Sequence, residues 1–505
     1  MQRARRNTVG DALHRAARLF RNRPALSFAD RVWSFAALDA AADRVARRFA
    51  DLGLRPGDRV ACYGRNSDGY FVAWLGCVRG GFVHVPVNYA LTGEELAYIV
   101  RQSGARMVLA AAALEANLAG IDVEMRGRFE GGGGGLDVLA VALDDAAPVG
   151  LDPAITDESL AQIVYTSGTT ATPKGAMMTH RAMMSQYFSC IHNMEYAETD
   201  RALAALPLYH TAQMHAFTMP QLLVGARTVL IEAPAPELVL RLIEQERITS
   251  FFAPPTVWIS LLRHPDFSRR DLGSLEKVYY GASIMPVPVL HELRERLPQA
   301  RPFNAYGQTE IAPVATILRP EEHDARPASC GRPVLNVETR VVDPDMRDCA
   351  PGEHGEIVHR SPQLLTGYWE KPEETAAAFA GGWFHSGDVG YFDDAGYLYI
   401  VDRIKDVINT GGVLVASREV EEVLFTHPAV SEVAVVALPD EKWIEAVSAF
   451  VVLREGHSVD EAALIEHARA HLAPFKLPKR VVFVAELPRN TAGKLLKREL
   501  RRQFS

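Results

Sequence analysis

The residues best suited to chemistry lie in YTSGTTATPKG, Tyr165 to Gly175. Four hydroxyl side chains, Thr166, Ser167, Thr169 and Thr170, surround Gly168, and Lys174 closes the stretch. Backbone N–H groups freed by glycine, hydroxyl donors and a lysine are the groups that hold phosphate oxygens, so this loop can wrap a polyphosphate. A Walker loop would carry Ser or Thr after its lysine and open a helix there. Here Pro173 precedes Lys174 and Gly175 follows it, which argues against a Walker-type kinase or ATPase. The plainer alternative is a polar turn between a strand and a helix.

Further candidates follow downstream. GAS at 281 to 283 supplies small residues where a flat ring could approach the backbone, and Tyr306 with Gly307 in RPFNAYGQTE could stack on one. Glu310 ends that run with the oxygen ligands that a hard cation such as Mg2+ needs; the alternative is an acidic first turn of a capped helix. Between them, PLYHTAQMHAF (207 to 217) and FFAPPTVWISLL (251 to 262) mix bulky apolar groups with His210 and Gln213. His210 reads as a wall of a substrate tunnel rather than as a proton-transfer group.

The elements that must position these residues alternate. RVACYG (59 to 64) and FVHVPV (82 to 87) read as strands, with an apolar helix from Tyr70 to Val78 between them. Thr92 and Glu95 have capping-box spacing ahead of LAYIV, and RMVLA returns to strand character. LEKVYYGAS, a helix near Pro288 to Leu297, and RPFNAYGQTE repeat the alternation. This is a parallel α/β pattern, in which ligands collect outside the carboxyl ends of strands. Gly131 to Gly135 read as a loop tip. From Glu419 onward, helix, strand, strand, helix and strand make a small α+β unit of about 100 residues. At 505 residues the chain exceeds one core. The expected division is a large domain of several parallel-sheet subdomains at 1–403 and a small, mobile domain at 404–505.

A formal net charge of -8 argues against a nucleic-acid or anionic-membrane partner. No apolar run approaches a membrane span, and the basic start reads as an amphipathic surface helix. The five cysteines have no CxxC spacing, so a disulfide framework or zinc site is not indicated and a cytoplasmic, reducing location fits.

YTSGTTATPKG, YGQTE, GEIVHRSPQLLTGYW (355 to 369), HSGDVG (385 to 390), DRIKDVINTGG (402 to 412) and NTAGK (490 to 494) occur in the order seen in adenylate-forming enzymes. The chain resembles an acyl-CoA synthetase over essentially its whole length. The resemblance implies that a small-molecule carboxylic acid attacks the α-phosphate of ATP, giving acyl-adenylate and pyrophosphate, and that the thiol of coenzyme A then takes the acyl group. It implies that the 165 to 175 loop holds the β and γ phosphates, Thr309 the α-phosphate and Glu310 the Mg2+. Gly281, Ala282, Asn304, Ala305, Tyr306 and Gly307 would surround adenine, and Asp388, assisted by Arg403, would accept the ribose hydroxyls. Lys494 would reach the carboxylate and α-phosphate during adenylation, with His210 beside the acid. Lys405 would be the hinge about which the small domain turns between half-reactions. Gly411 and Gly412 would line the pantetheine channel, and Trp443, Phe475 and Lys479 would contact the CoA nucleotide.

Four positions depart from the family pattern: Ala171 and Ile444 replace usual glycines, Leu414 an asparagine and Ser417 a proline. Three of them cluster where the thioester-forming arrangement would assemble, so an acyl carrier protein is an alternative acceptor. A nucleotide-binding regulator without turnover is the alternative from another class. No acidic residue between Pro207 and Ile231 could bind a substrate ammonium, and Arg227 is the one arginine there, which disfavours amino acids and dicarboxylates. Apolar residues near Phe217, Trp258 and Ile284 suit an alkyl or aryl chain. A fatty acid is the first expectation, with an aryl or polyketide-like acid second.

Overall fold

The computed structural model describes residues 2–131, 135–166, 172–411, 413–440, 443–491, 493 and 495–504. Two large, mainly parallel sheets carry most of the chain. In the nine-stranded sheet, Pro24–Phe28, Arg227–Leu230, Arg201–Ala204, Ser250–Ala253, Lys277–Gly281 and Arg301–Tyr306 run parallel. Antiparallel strands finish both of its edges. The seven-stranded sheet is parallel through Arg59–Tyr63, Val83–Val87 and Ala105–Ala110, and ends in an antiparallel pair, Leu160–Thr166 with Lys174–Thr179.

Helix Asp68–Gly80 touches strands of both sheets. It is apolar around nearly its whole circumference, as an element covered on all sides must be, and Phe71 and Trp74 are completely buried. Each such side chain contributes about 1.5–3 kcal/mol on leaving water. The amphipathic helix expected at the start is Val9–Phe20, capped by Thr8 and Asp11 in a reciprocal box, with Val9, Leu13 and Ala16 turned into the core. Helix Gly93–Gln102 also begins where its sequence signal points, but the Thr92 side chain makes no capping bond there.

A four-stranded antiparallel sheet follows, built from Glu338–Val342, Gly355–Arg360, Phe384–Phe392 and Leu398–Arg403. The last sheet contains Ile408–Thr410, Val413–Val415, Val430–Asp440, Ile444–Leu453 and Arg480–Phe483. Helices Ser417–Phe425, Glu461–Arg469 and Lys497–Phe504 accompany it. The expected fold class, α/β with a large parallel-sheet domain and a smaller C-terminal domain, is therefore the observed one. The middle of the glycine run, 132–134, lies outside the described residues. Among those described, no helix is long and apolar enough to cross a membrane.

Candidate active site

Strands Lys277–Gly281 and Arg301–Tyr306 are parallel neighbours in register, Gly281 opposite Ala305, so their carboxyl ends open at one edge. Side chains are excluded there for a physical reason. A Cβ on Gly281 would sit 2.3 Å from the Ala305 carbonyl oxygen, and one on Gly307 2.0 Å from that of Pro313. Ala282 takes φ +64°, the left-handed region, which turns the chain sharply out of the strand. The Asn304 amide donates to the Ser329 carbonyl at 2.9 Å. Tyr306 extends from the strand end and donates its hydroxyl to Asp388 Oδ2 at 2.8 Å.

Asp388 and Arg403 are cross-strand partners in the four-stranded sheet, and Arg403 Nε lies 3.1 Å from Asp388 Oδ1. The Asp388 carboxylate holds the Arg403 guanidinium above its usual pKa. Burial, and then the Asp388 charge, pushes the Tyr306 phenol well up, so it remains a donor. Asp388 is 3% exposed, yet a carboxylate accepts about four hydrogen bonds. With one from Tyr306 and the Arg403 guanidinium paired beside it, it retains capacity for a pair of sugar hydroxyls.

The strands flanking the hydroxyl-rich loop form an antiparallel pair. Thr166 faces Lys174 directly across the antiparallel pair, so the loop between them starts and ends at one place. Ser167, Gly168, Thr169 and Thr170, with Ala171, lie outside the described residues. Thr166 Oγ1 donates to Glu310 Oε1 at 3.0 Å, and Tyr368 donates to the same oxygen at 3.2 Å. Lys174 Nζ sits 5.2 Å from the centre of the Tyr368 ring. Burial, and secondarily Glu310, raises the Tyr368 phenol. Thr309 Oγ1 is 3.2 Å from Thr211 Oγ1, which ties this turn to the segment that carries His210.

Glu310 is not the start of a long helix but sits in a single 3-10 turn, Thr309–Ile311. No group of three or more metal-ligating side chains occurs among the described residues. One carboxylate flanked by hydroxyls suits Mg2+, which binds through one or two carboxylates, phosphate oxygens and water rather than in an all-protein cage.

Tyr368 was not singled out from the sequence, although it lies in the quoted GEIVHRSPQLLTGYW. Its segment is zipped into the site by main-chain bonds. Leu365 N–H donates to the Glu310 carbonyl, Thr366 N–H to Met177 and Trp369 N–H to Gly175, at 2.8 to 3.0 Å. The motif was therefore a usable signal; the contact partner was not readable from it.

His210 is half-buried beside Thr211, and its Nδ1 accepts from the Ala212 N–H at 3.3 Å. A π-helical segment, Ala212–Thr218, follows; such irregular turns recur at functional sites. His215 within it lies 2.8 Å from the Tyr187 hydroxyl and 3.0 Å from Gln162 Oε1, while Gln162 Nε2 lies 2.9 Å from His84 Nδ1. Sequence reading missed this buried chain, which braces strand Leu160–Thr166 against the segment after His210.

The expected apolar pocket wall needs correcting. Phe217 stacks on Phe252 with ring centres 4.0 Å apart and planes at 12°, and both are buried. Trp258 is wholly buried, packs on Phe251 and donates its indole N–H to the Tyr279 carbonyl at 3.1 Å. Phe217 and Trp258 are core residues of two separate clusters, each stacked or packed on a neighbouring ring. Ile284, the third, is exposed.

The loop near the chain end reaches the same cleft. Thr491 Oγ1 lies 3.1 Å from Asn88 Oδ1 and contacts the Tyr209 hydroxyl. A Cβ on Gly493 would sit 3.2 Å from Pro254 and Thr256. Lys494 lies outside the described residues, as does Gly412. Gly411, at φ +64°, donates its N–H to the Trp443 carbonyl at 2.6 Å. Lys479 Nζ is 5.2 Å from the Trp443 ring and donates to the Pro474 carbonyl next to exposed Phe475. These four form one surface patch. Lys405 occupies the 3-10 turn Ile404–Asp406 that leads from the four-stranded sheet to the last one. Arg227 pairs with Glu246 at 2.9 Å and is not a receptor for a second carboxylate.

The family model for AMP-binding enzymes matches residues 13–369, and that for the AMP-binding enzyme C-terminal domain matches residues 419–494. The chain belongs to the AMP-binding enzyme family. It is 36% identical over 496 residues to a feruloyl-CoA synthase of Amycolatopsis, covering 97% of this chain and 98% of that one. A long-chain-fatty-acid–CoA ligase of Mycobacterium tuberculosis is 35% identical over 482 residues, covering 94% and 93%. The solved structure of an anthranilate CoA ligase with anthranoyl-AMP superposes with a TM-score of 0.92 at 28% identity, covering 99% and 97%. The protein is an AMP-forming acyl-CoA synthetase, a carboxylic acid:CoA ligase. In this synthetase Ile444 stands at φ +68°. The usual glycine takes that conformation freely, whereas a β-branched side chain is strained in it by roughly 1–2 kcal/mol.

Proposed function

We propose that the synthetase activates a compact aryl carboxylic acid with ATP and Mg2+ and passes the acyl group to coenzyme A. The stack of Phe217 on Phe252 carries this reading. Phe217 also packs on Tyr279, with ring centres 5.3 Å apart, and in this reading these rings, a few residues after His210, bound the acid site and leave it short. The aromatic acids in the names of the feruloyl and anthranilate ligases support this reading, while the long-chain ligase of Mycobacterium tuberculosis keeps the fatty acid first expected as the second one.

In this reading Gly281, Ala282, Asn304, Ala305, Tyr306 and Gly307 surround adenine, and Asp388 with Arg403 accepts the ribose hydroxyls. Lys174 and the hydroxyl loop hold the β and γ phosphates, and Thr309 the α-phosphate. Glu310, with Thr166 beside it, would hold Mg2+, which supplies neutralisation of phosphate charge. Such preorganised electrostatics is the usual dominant catalytic contribution. The acid's carboxylate oxygen bonds to the α-phosphorus as the bond to pyrophosphate breaks, with Lys494 donating to both partners. The CoA thiolate then attacks the acyl carbon and AMP leaves. Between the steps the small domain turns about Lys405, replacing Lys494 with the face of Gly411, Gly412, Trp443, Phe475 and Lys479. Docking of Thr491 and Gly493 in the cleft supports the present arrangement as the adenylating one. Five free cysteines support a reducing, cytoplasmic setting.

The test is acid-dependent ATP/pyrophosphate exchange, with thioester detection by mass spectrometry, over hydroxycinnamic, benzoic, medium-chain and long-chain acids. Aryl acids should lead. A long-chain acid preferred over every aryl acid would overturn the substrate assignment. Acyl transfer to a carrier protein but not to CoA would overturn the acceptor.

A further inference from the structure

Ser417 stands where the family usually has proline, and it uses both groups that proline lacks. Its N–H donates to Asp402 Oδ2 at 2.7 Å, and its hydroxyl donates to the same oxygen at 2.6 Å. Asp402 belongs to strand Leu398–Arg403, before Lys405; Ser417 opens helix Ser417–Phe425, after it. Both residues are buried. The Ser417 oxygen also accepts from Lys497 Nζ at 2.5 Å, and Lys497 lies 2.8 Å from Glu421 Oε1, which in turn accepts from the Val435 N–H at 2.7 Å. Burial works against the Lys497 ammonium, but Glu421 and Asp402 outweigh it and hold its pKa above the ordinary lysine value. A continuous carboxylate, hydroxyl, ammonium and carboxylate chain thus spans the hinge, its ammonium supplied by helix Lys497–Phe504 and its last carboxylate by helix Ser417–Phe425. Arg501 of that helix adds a contact to Asp406 at 2.5 Å.

We propose that Ser417 is a positioning residue, a latch on Asp402 that holds the small domain in the adenylating arrangement. The proposal rests on the two-arrangement reading above. Any rotation about Lys405 moves Ser417 relative to Asp402, so leaving this arrangement breaks two hydrogen bonds to a buried carboxylate. Bonds to charged groups are the strong ones, and a proline at 417 would offer neither. The latch therefore shifts the population toward adenylation, and thioester formation must work against it.

The local geometry makes the test clean. Position 417 is the first helical residue, where proline is tolerated. Ala416, at φ -71° and ψ 121°, already has the extended conformation required before a proline. Ser417→Pro removes both bonds with the helix retained, and Ser417→Ala removes one. Two rates are measured for each protein: ATP/pyrophosphate exchange, and thioester formation from CoA and the supplied adenylate of the panel acid with fastest exchange. The ratio of thioester formation to exchange should rise about tenfold in Ser417→Pro, the order expected for lost hydrogen bonds to a charge, and by a smaller factor in Ser417→Ala. A purely structural role would lower both rates together. An unchanged ratio, or equal loss of both rates in the alanine variant, would overturn the latch. Small-angle scattering of the ATP-free proteins gives a readout independent of activity. Ser417→Pro should move the profile away from that of the wild type, and identical profiles would overturn the latch even if the wild type turned over no acid. That last result alone, no exchange with any acid, would instead count against the proposed function.

Discussion

Tyr306 and Asp388, 82 positions apart, meet at 2.8 Å where the end of a parallel strand faces an antiparallel hairpin. That contact joins the end of the parallel strand to the antiparallel strands carrying Asp388 and Arg403, so the proposed nucleotide site spans two sheets.

Removing the hydroxyl should weaken this junction without unfolding it. Tyr306→Phe leaves Asp388 with Arg403 and forfeits a hydrogen bond to a charged group, worth about 1.5–3 kcal/mol. The KM for ATP should rise at least about tenfold, with kcat less affected. An unchanged KM would remove Tyr306 from nucleotide positioning.

Glu310→Gln keeps the shape of the turn but removes the charge. Exchange should fall by roughly 10²-fold, the scale on which one transition-state electrostatic partner acts. The Mg2+ concentration for half-maximal activity should also increase, as a magnesium titration would reveal. A parallel loss with no change in magnesium dependence would assign Glu310 to holding Thr166 and Tyr368 alone.

Lys494→Ala should cut exchange by about 10² to 10³ and spare thioester formation from supplied acyl-adenylate. Equal losses in the two assays would reject the assignment of this lysine to one half-reaction.

Phe217→Ala should cost about 3–5 kcal/mol of stability by chemical denaturation, as for other large aromatic deletions from a core. In the folded fraction it should extend activity toward longer acids. Unchanged chain-length preference would mean that the ring stack does not bound the acid site.

Five buried histidines set a pH dependence. Burial lowers His84 and His215 to about 3, and His180, His323 and His359 to about 4. The unfolded chain titrates them near 6.5, so below that pH it binds more protons than the folded protein. Stability should be level above about pH 7 and decline as pH falls toward 4. Glu421, whose carboxyl burial raises, acts in the opposite sense, one group against five. A denaturation midpoint at pH 5 equal to or above that at pH 7.5 would contradict this assignment.

What the amino-acid order determined by itself was local. Gly281 and Gly307 mark places where the backbone must pass close to another carbonyl, and steric exclusion acts at the residue itself. Alternating apolar runs placed most of the strands, and the small C-terminal unit was legible element by element. The order of motifs specified the family. The substrate side was less legible, because an apolar side chain reads alike whether it lines a pocket or fills a core. Only the packing of Phe217 on Phe252 and of Trp258 on Phe251 decided that these rings are core residues. The tertiary structure alone also decided that Tyr368 meets Glu310, that Gln162 bridges His84 and His215, and that the serine in place of a proline at 417 grips Asp402. Each is a hydrogen bond whose strength depends on ångström distances and burial between distant positions, and neither quantity is carried by residue type or spacing.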